Sequence, residues 1–286
     1  MYDAEIQVGA EPGYATVGAG SVWVGNHLGR TVSRIDPASD EVVATIEITG
    51  EPTGMLFAFD GVWTFGAMTG LLHRIDPETD EVVARVRLSG QGGGINGLSA
   101  DGSSVWVSEN SGSVYRIDPA TNEVTGKVRV LEGGCAPGGN LTFASGAVWY
   151  ACWDQPFLWK IDPSELEIVQ KIDVGGMAGS PVGGNGLVWV PNMGTGVVLG
   201  VVPSTGRVGP QVEVGSSVEQ VRVEGRTMWA RVSDTELAQV DLRRLEVVKR
   251  YELPPAPIPG GGLTVGFGSV WATNFGAGTV WRIRTA

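Results

Sequence analysis

The sequence predicts an all-β protein, a seven-bladed β-propeller of four-stranded antiparallel blades, and three observations carry that prediction. An apolar residue followed by Trp recurs at Trp23, Trp63, Trp106, Trp149, Trp189, Trp229 and Trp271, at intervals of 40 to 43 residues. A second signature, a cation followed by Ile-Asp-Pro, trails the first four of these Trp residues at a fixed distance. The last repeat stops short of its fourth strand, and the missing pattern stands at the other end of the chain. Four short strands in a period of about 40 residues are the signature of a propeller blade.

Within each repeat the runs are β-branched, short and separated by turn residues, and are called strands a to d. The a–b turns carry Asp60-Gly61, Asp101-Gly102, Ser145-Gly146 and Asn185-Gly186, where glycine tolerates positive φ. Strand b is the Trp run. Strand c ends in Arg34-Ile35-Asp36-Pro37, Arg74-Ile75-Asp76-Pro77, Arg116-Ile117-Asp118-Pro119 or Lys160-Ile161-Asp162-Pro163. Pro presets φ for the c–d turn, and the preceding Asp accepts a local backbone N–H. Degenerate copies run from Gly200 to Pro203, Gln239 to Leu242 and Arg282 to Thr285. Strand d is an alternating run such as Val42-Val43-Ala44-Thr45-Ile46-Glu47-Ile48. The segment Ala4-Glu5-Ile6-Gln7-Val8-Gly9 matches that pattern, so the N-terminal strand is expected to complete the last blade and close a single domain spanning 1–286.

Composition agrees with many turns around a real core. Hydrophobic residues make up 42 %, with 44 Gly, 16 Pro and 10 Trp, and aromatics at that level argue against disorder. The net charge of −11 and the absence of a basic cluster longer than Arg243-Arg244 exclude a nucleic-acid binder. No apolar run reaches the length of a membrane span, and no signal peptide is present. Cys135 and Cys152 belong to one blade, Cys135 in a d–a loop and Cys152 at the end of strand b. Their even number and shared face favour a disulfide over two buried thiols. That points to an extracytoplasmic or secreted protein whose leader is absent from the chain. A monomer is expected.

The runs Ser21-Val22-Trp23-Val24, Arg34-Ile35-Asp36-Pro37 and Val42-Val43-Ala44-Thr45-Ile46 resemble YVTN-type, YncE-like propeller repeats. They are also similar to the repeats of virginiamycin B lyase (streptogramin lyase) relatives. The resemblance covers the whole chain and implies the architecture; such repeats serve enzymes, sensors and surface proteins alike. For the lyase relatives it further implies a metal held by His and Glu on the loop-bearing top face. Here only blade three keeps an acid in that kind of motif, Trp106-Val107-Ser108-Glu109-Asn110, and the chain has two His. The His-containing catalytic set of those relatives is therefore not recovered.

What does not repeat between blades is where specificity is expected. The positions just beyond each Trp differ from blade to blade and are expected in top loops. They give a candidate ligand-binding set of Asn26, His27, Phe65, Glu109, Asn110, Trp153, Asp154, Asn192, Arg231, Asn274 and Phe275. Glu51, Glu219 and Asp234 add acidic groups there, and Met68 and Met193 an apolar floor. His27 beside Asn26 is the better histidine, open to a ligand or proton-transfer role but more readily read as an exposed polar loop residue. His73 shares a column with Ser33, Tyr115, Trp159, Leu199, Ala238 and Trp281, a packing position between blades. The Gly-rich loops at 92–94, 133–134, 138–139, 183–184 and 260–262 precede no helix, which excludes a phosphate cradle. The expected function is a cofactor-free binding or sensing module that takes a small molecule, peptide or protein at the top face. The alternative is a lyase or lactonase with a divalent ion held near His27 and Glu109.

Overall fold

The computed structural model describes residues 2–88, 95–135, 138–218 and 220–285. The fold is that of a β-propeller, with seven four-stranded antiparallel blades and no helix among the described residues. The chain forms two compact units, Met1–Gly94 with Pro119–Glu123 and Leu253–Ala286, and Ile95–Asp118 with Val124–Glu252.

The first unit holds blades one, two and seven. Blade one is built from Pro12–Gly18, Ser21–Asn26, Thr31–Asp36 and Glu41–Glu47. Blade two is built from Glu51–Ala58, Gly61–Ala67, Leu71–Asp76 and Glu81–Arg87. Blade seven takes strands a to c from Leu263–Gly266, Ser269–Asn274 and Thr279–Arg284, and strand d from Ala4–Gln7. The N-terminal strand pairs antiparallel in the register Ala4↔Arg282, Glu5↔Trp281, Ile6↔Val280 and Gln7↔Thr279, as its sequence predicts.

The second unit holds most of blades three to six. Blade three comprises Leu98–Ala100, Val105–Glu109, Ser113–Asp118 and Glu123–Arg129; blade four comprises Gly138–Ala144, Ala147–Cys152, Phe157–Asp162 and Glu167–Asp173. Blade five is Val182–Gly184, Leu187–Asn192, Val197–Val201 and Val208–Glu213. Blade six is Gln220–Glu224, Thr227–Ser233, Glu236–Asp241 and Glu246–Glu252. A two-residue strand, Ile95–Asn96, adds in parallel to Gly138–Gly139 and widens blade four to five strands.

The recurring residues have physical reasons. All seven signature Trp side chains are buried. Trp23, Trp63, Trp149, Trp189 and Trp271 each donate Nε1–H to the carbonyl five residues earlier, at 3.0–3.1 Å, which ties strand b to the end of strand a. Trp106 donates instead to Asp101 Oδ2 at 2.8 Å. A buried indole with its N–H satisfied supplies both packing area and a fixed hairpin.

The Arg-Ile-Asp-Pro signature is a latch between neighbouring blades. Ile35, Ile75, Ile117 and Ile161 fill the core, and the Asp carboxylate accepts a backbone N–H two residues on, as in Asp36 with Ala38 (2.9 Å). The cation lies over the Trp of its own blade, 5.1 Å from the ring for Arg34 and 4.8 Å for Arg282. It then donates to the Pro carbonyl of the next c–d turn: Arg34 to Pro77 (2.9 Å), Arg116 to Pro163 (3.0 Å), Lys160 to Pro203 (2.9 Å) and Arg282 to Pro37 (2.6 Å). The last of these joins blade seven to blade one.

The a–b turns depart from expectation in two blades. In blade two the positive φ values fall on Phe59 and Asp60, not on Gly61. In blade three Asp101 Oδ1 accepts the N–H groups of Ser103 (2.6 Å) and Ser104 (2.7 Å), and a side-chain cap replaces the positive-φ pair.

Candidate functional site

The positions beyond each Trp divide: His27, Asn110, Trp153, Asp154 and Phe275 lie in the turns after strand b, whereas six others are part of the strand itself. Asn26, Phe65, Glu109, Asn192, Arg231 and Asn274 are all buried at or near the ends of their b strands, because strand b is covered on both faces. The residue three beyond Trp holds the b–c turn in several blades. Asn274 Oδ1 accepts the Ala277 N–H (3.2 Å), Asn192 Oδ1 the Gly194 N–H (3.3 Å), and Asn26 Nδ2 donates to Thr31 Oγ1 (3.0 Å) and Ser33 Oγ (2.9 Å). Glu109 stands in the same register, and its Oε2 accepts from Ser111 Oγ (2.7 Å) and Tyr115 Oη (3.1 Å).

In the first unit His27 meets Glu51 and Phe275. Its Nε2 lies 3.4 Å from Glu51 Oε2, and its ring stands edge-on to Phe275 at 6.2 Å. His27 Nδ1 is buried without a hydrogen-bond partner. Phe275 also lines a shallow cleft of about 340 Å³ together with Gln7, Glu11 and Ile258. Phe65 is fully buried and Met68 largely exposed, so these two do not form a shared apolar floor. His73 is buried, as its column predicts, and burial, followed by the Arg85 charge, lowers its pKa from 6.5 to about 4.

In the second unit the candidates gather around blade four. Cys135 and Cys152 form a buried disulfide across 17 residues, with Cα atoms 5.8 Å apart. The Cys135 N–H donates to the Asn110 carbonyl (2.8 Å), and Asp154 Oδ1 lies 2.8 Å from Cys152 Sγ. Arg231 is buried, with Nη2 3.6 Å from Asp234 Oδ1. His27 and Glu109 fall in different units. Glu219 and the glycines at 92–94 lie outside the described residues.

Sequence reasoning missed Asn140, Tyr150 and Ser180. The hydroxyl of Tyr150, Asn140 Nδ2 and Ser180 Oγ are buried without partners, as are Asn110 Oδ1 and Trp153 Nε1. Burial, and secondarily the Asp154 carboxylate, pushes the Tyr150 phenol pKa up. The two faces of the blade separate these groups. Leu141 opposes Tyr150 and Gly139 opposes Cys152, on the face packed with Trp106 and Val114 of blade three. Asn140 opposes Ala151, on the face packed with Ala178 and Val188 of blade five. A Cβ at Gly139 would lie 2.2 Å from the Tyr150 hydroxyl, so the glycine makes room for the phenol. A signal was legible: the residue after Trp is Val24, Thr64, Val107, Val190, Ala230 or Ala272 elsewhere, and only blade four carries an aromatic there.

Blades of this construction, with a disulfide tying one loop edge, define a seven-bladed β-propeller. Residues 30–185, more than half of the chain, match the glutamine cyclotransferase family, and the chain belongs to that family. No curated protein matches it. Among solved structures it is similar to a chain of the mitotic checkpoint complex, with a TM-score of 0.81 and 12 % identity over 99 % of this chain and 92 % of that one. It is similar to Kuenenia stuttgartiensis hydrazine synthase, with a TM-score of 0.80 and 13 % identity over 96 % of each chain. It is also similar to the computationally designed Ika8 protein, with a TM-score of 0.72 and 14 % identity over 95 % of this chain and 83 % of that one. These likenesses establish the fold alone.

Proposed function

We propose that the chain is a ligand-binding propeller that seats a small polar molecule at the blade-four edge of the second unit. The observation that carries this reading is the buried, unpaired Asn140 Nδ2 on the blade-four face that packs against blade five, with Ser180 Oγ likewise buried and unpaired in the segment that leads into blade five. An unpaired buried donor costs about 1–3 kcal/mol, and a bound oxygen acceptor recovers that cost. Buried hydroxyls in blades three and seven meet the same need within the protein: Ser108 Oγ donates to the Gly139 carbonyl at 2.6 Å and Thr273 Oγ1 to the Gly13 carbonyl at 3.0 Å.

Family membership favours a catalytic version of the same reading, cyclisation of a glutamine, in which an amine attacks the side-chain carboxamide and ammonia leaves. The matching region, 30–185, contains Asn140 and Ser180, whose unpaired atoms are an N–H and an O–H donor. N–H and O–H donors of this kind suit a carbonyl oxygen that gains charge during such an attack.

The test is a thermal-shift and calorimetric screen of amino acids, primary carboxamides and glutaminyl dipeptides, with ammonia release followed in parallel. A ligand at 100 times its Kd adds about 2.7 kcal/mol of stability. Replacing Asn140→Ala is expected to abolish the shift while the protein stays folded. Absence of any shift across the screen, or a shift unaltered in the Asn140 variant, overturns the binding site; binding without ammonia release overturns only the catalytic version.

A further inference from the structure

We infer that blade six binds a phosphate group at the end formed by its a–b and c–d turns, with Arg226 and Arg243 as the ligating cations. The two side chains line a cleft of about 330 Å³ together with Thr227, Gln239, Asp241 and Val248. All of these residues belong to the second unit. The site is independent of the ligand proposed above on blade four.

Blade six departs from the repeat at both turns. The residue before strand b is Gly20, Asp60, Ser103, Gly146, Gly186 or Gly268 in the other blades and Arg226 in blade six. The residue after the signature Pro is Ala38, Glu78, Ala120, Ser164 or Ser204 in the first five blades. At the same position, after Leu242, blade six carries Arg243. Gln239 meanwhile replaces the cation of strand c. Blade six has therefore lost the charge that grips a neighbour and carries two charges at one end instead. Departures of this kind on a repeated scaffold are where binding residues are expected.

The two turns adjoin. Thr227 pairs with Asp241 across strands b and c, and the Leu242 N–H donates to the Arg226 carbonyl at 2.9 Å. Other arginines of this blade are committed: Arg244 pairs with Glu246 at 2.9 Å, Arg231 with Asp234 at 3.6 Å, and Arg250 with Glu236. Arg226 and Arg243 are exposed and have no ion pair among the described residues. The carboxylate in the cleft is engaged, because Asp241 Oδ1 accepts the N–H groups of Arg243 (2.8 Å) and Arg244 (3.3 Å). Gln239 Oε1 accepts the Tyr251 hydroxyl at 3.3 Å. What the cleft offers a ligand is therefore donors: two guanidinium groups, the Thr227 hydroxyl and the Gln239 amide nitrogen.

Donors with a positive charge select an oxyanion, and their number selects its shape. A guanidinium presents two parallel N–H groups, and a single carboxylate fills that fork with both of its oxygens. Two guanidinium groups arriving from different turns are matched by a tetrahedral anion, whose oxygens divide between them. The chain as a whole carries a net charge of −11, so the attraction is local and weakens as salt is added. Free phosphate and a phosphomonoester present the same oxygens to such a site.

The experiment titrates the intact chain with inorganic phosphate, phenyl phosphate and acetate at low ionic strength, by isothermal titration calorimetry. Tryptophan emission is recorded on each sample. The expected result is saturation at one phosphate group per chain, with acetate weaker by at least about tenfold, the factor that one charge-assisted hydrogen bond amounts to. Arg226→Ser and Arg243→Ser, which copy blades three and four, should each weaken phosphate binding by about tenfold. Arg244→Ser removes a cation that is already paired and should leave binding unchanged. Tighter binding of phenyl phosphate assigns the site to a phosphate carried on a larger molecule, and the reverse order assigns it to the free ion. Absence of saturable binding overturns the inference. So does acetate binding as tight as phosphate, an Arg226 or Arg243 variant that binds like the parent, or a loss in Arg244→Ser equal to theirs.

Discussion

His73 turns the burial of one side chain into a measurable pH dependence. It sits on strand c of blade two between Thr64 and Arg85, its cross-strand neighbours, with no exposed surface. Its pKa falls from 6.5 to about 4, so the folded protein keeps it neutral while the unfolded chain protonates it near pH 6.5. Between those values the unfolded state binds more protons. Stability from this residue is therefore fully present above pH 6.5, and is lost as the pH falls towards 4. At pH 5 the two pKa values give a loss of about 2 kcal/mol relative to pH 7. The replacement His73→Leu removes the titration and keeps the volume. Urea unfolding followed by tryptophan fluorescence, at pH 7 and pH 5, should show the parent losing about 2 kcal/mol more than the variant. Equal losses in the two proteins would refute the buried, neutral histidine.

Two further predictions concern the closure of the last blade. Deleting residues 2–9 removes the strand that covers Val280 and Trp281 along with the buried Ile6; the expected loss exceeds about 3 kcal/mol, read as a fall in the urea midpoint, and an unchanged midpoint would contradict the pairing. Arg282→Ala breaks bonds to the Pro37 carbonyl (2.6 Å) and Asp40 Oδ1 (2.8 Å) from a largely buried position, and should cost about 2–3 kcal/mol by the same assay, with a change below about 0.5 kcal/mol counting against the latch.

The architecture was legible because it is repeated. Seven buried copies of a Trp, five of them with the same hydrogen bond, and an Arg-Ile-Asp-Pro run with four separate tasks, leave a period that a propeller explains. The borrowed strand and the disulfide followed from bookkeeping on that period, and both are present. The candidate site was less legible. Residues just beyond the Trp looked like loops because they vary, yet Asn26, Glu109, Asn192 and Asn274 vary only in how they hold the same turn. Tyr150 showed in the sequence only as the one aromatic directly after a signature Trp, and the lack of a partner at Tyr150 and Asn140 depends on the atoms around them, which no spacing along a chain records. The resemblance to lyase-type repeats rested on scaffold residues, whereas the family that the chain belongs to is that of the glutamine cyclotransferases.

Every latch reaches a main-chain carbonyl, and two add a carboxylate of the receiving turn, Asp80 for Arg34 (3.0 Å) and Asp40 for Arg282 (2.8 Å). The carbonyl contact survives a change of side chain in the receiving turn and the carboxylate contact does not, while the donor must keep its charge and reach in either case. Gly200 and Gln239 occupy the donor position in blades five and six, and neither carries a cation. Substitutions are therefore tolerated asymmetrically: a turn gripped through its carboxylate is constrained, whereas the turn after blade five faces no cation at the donor position.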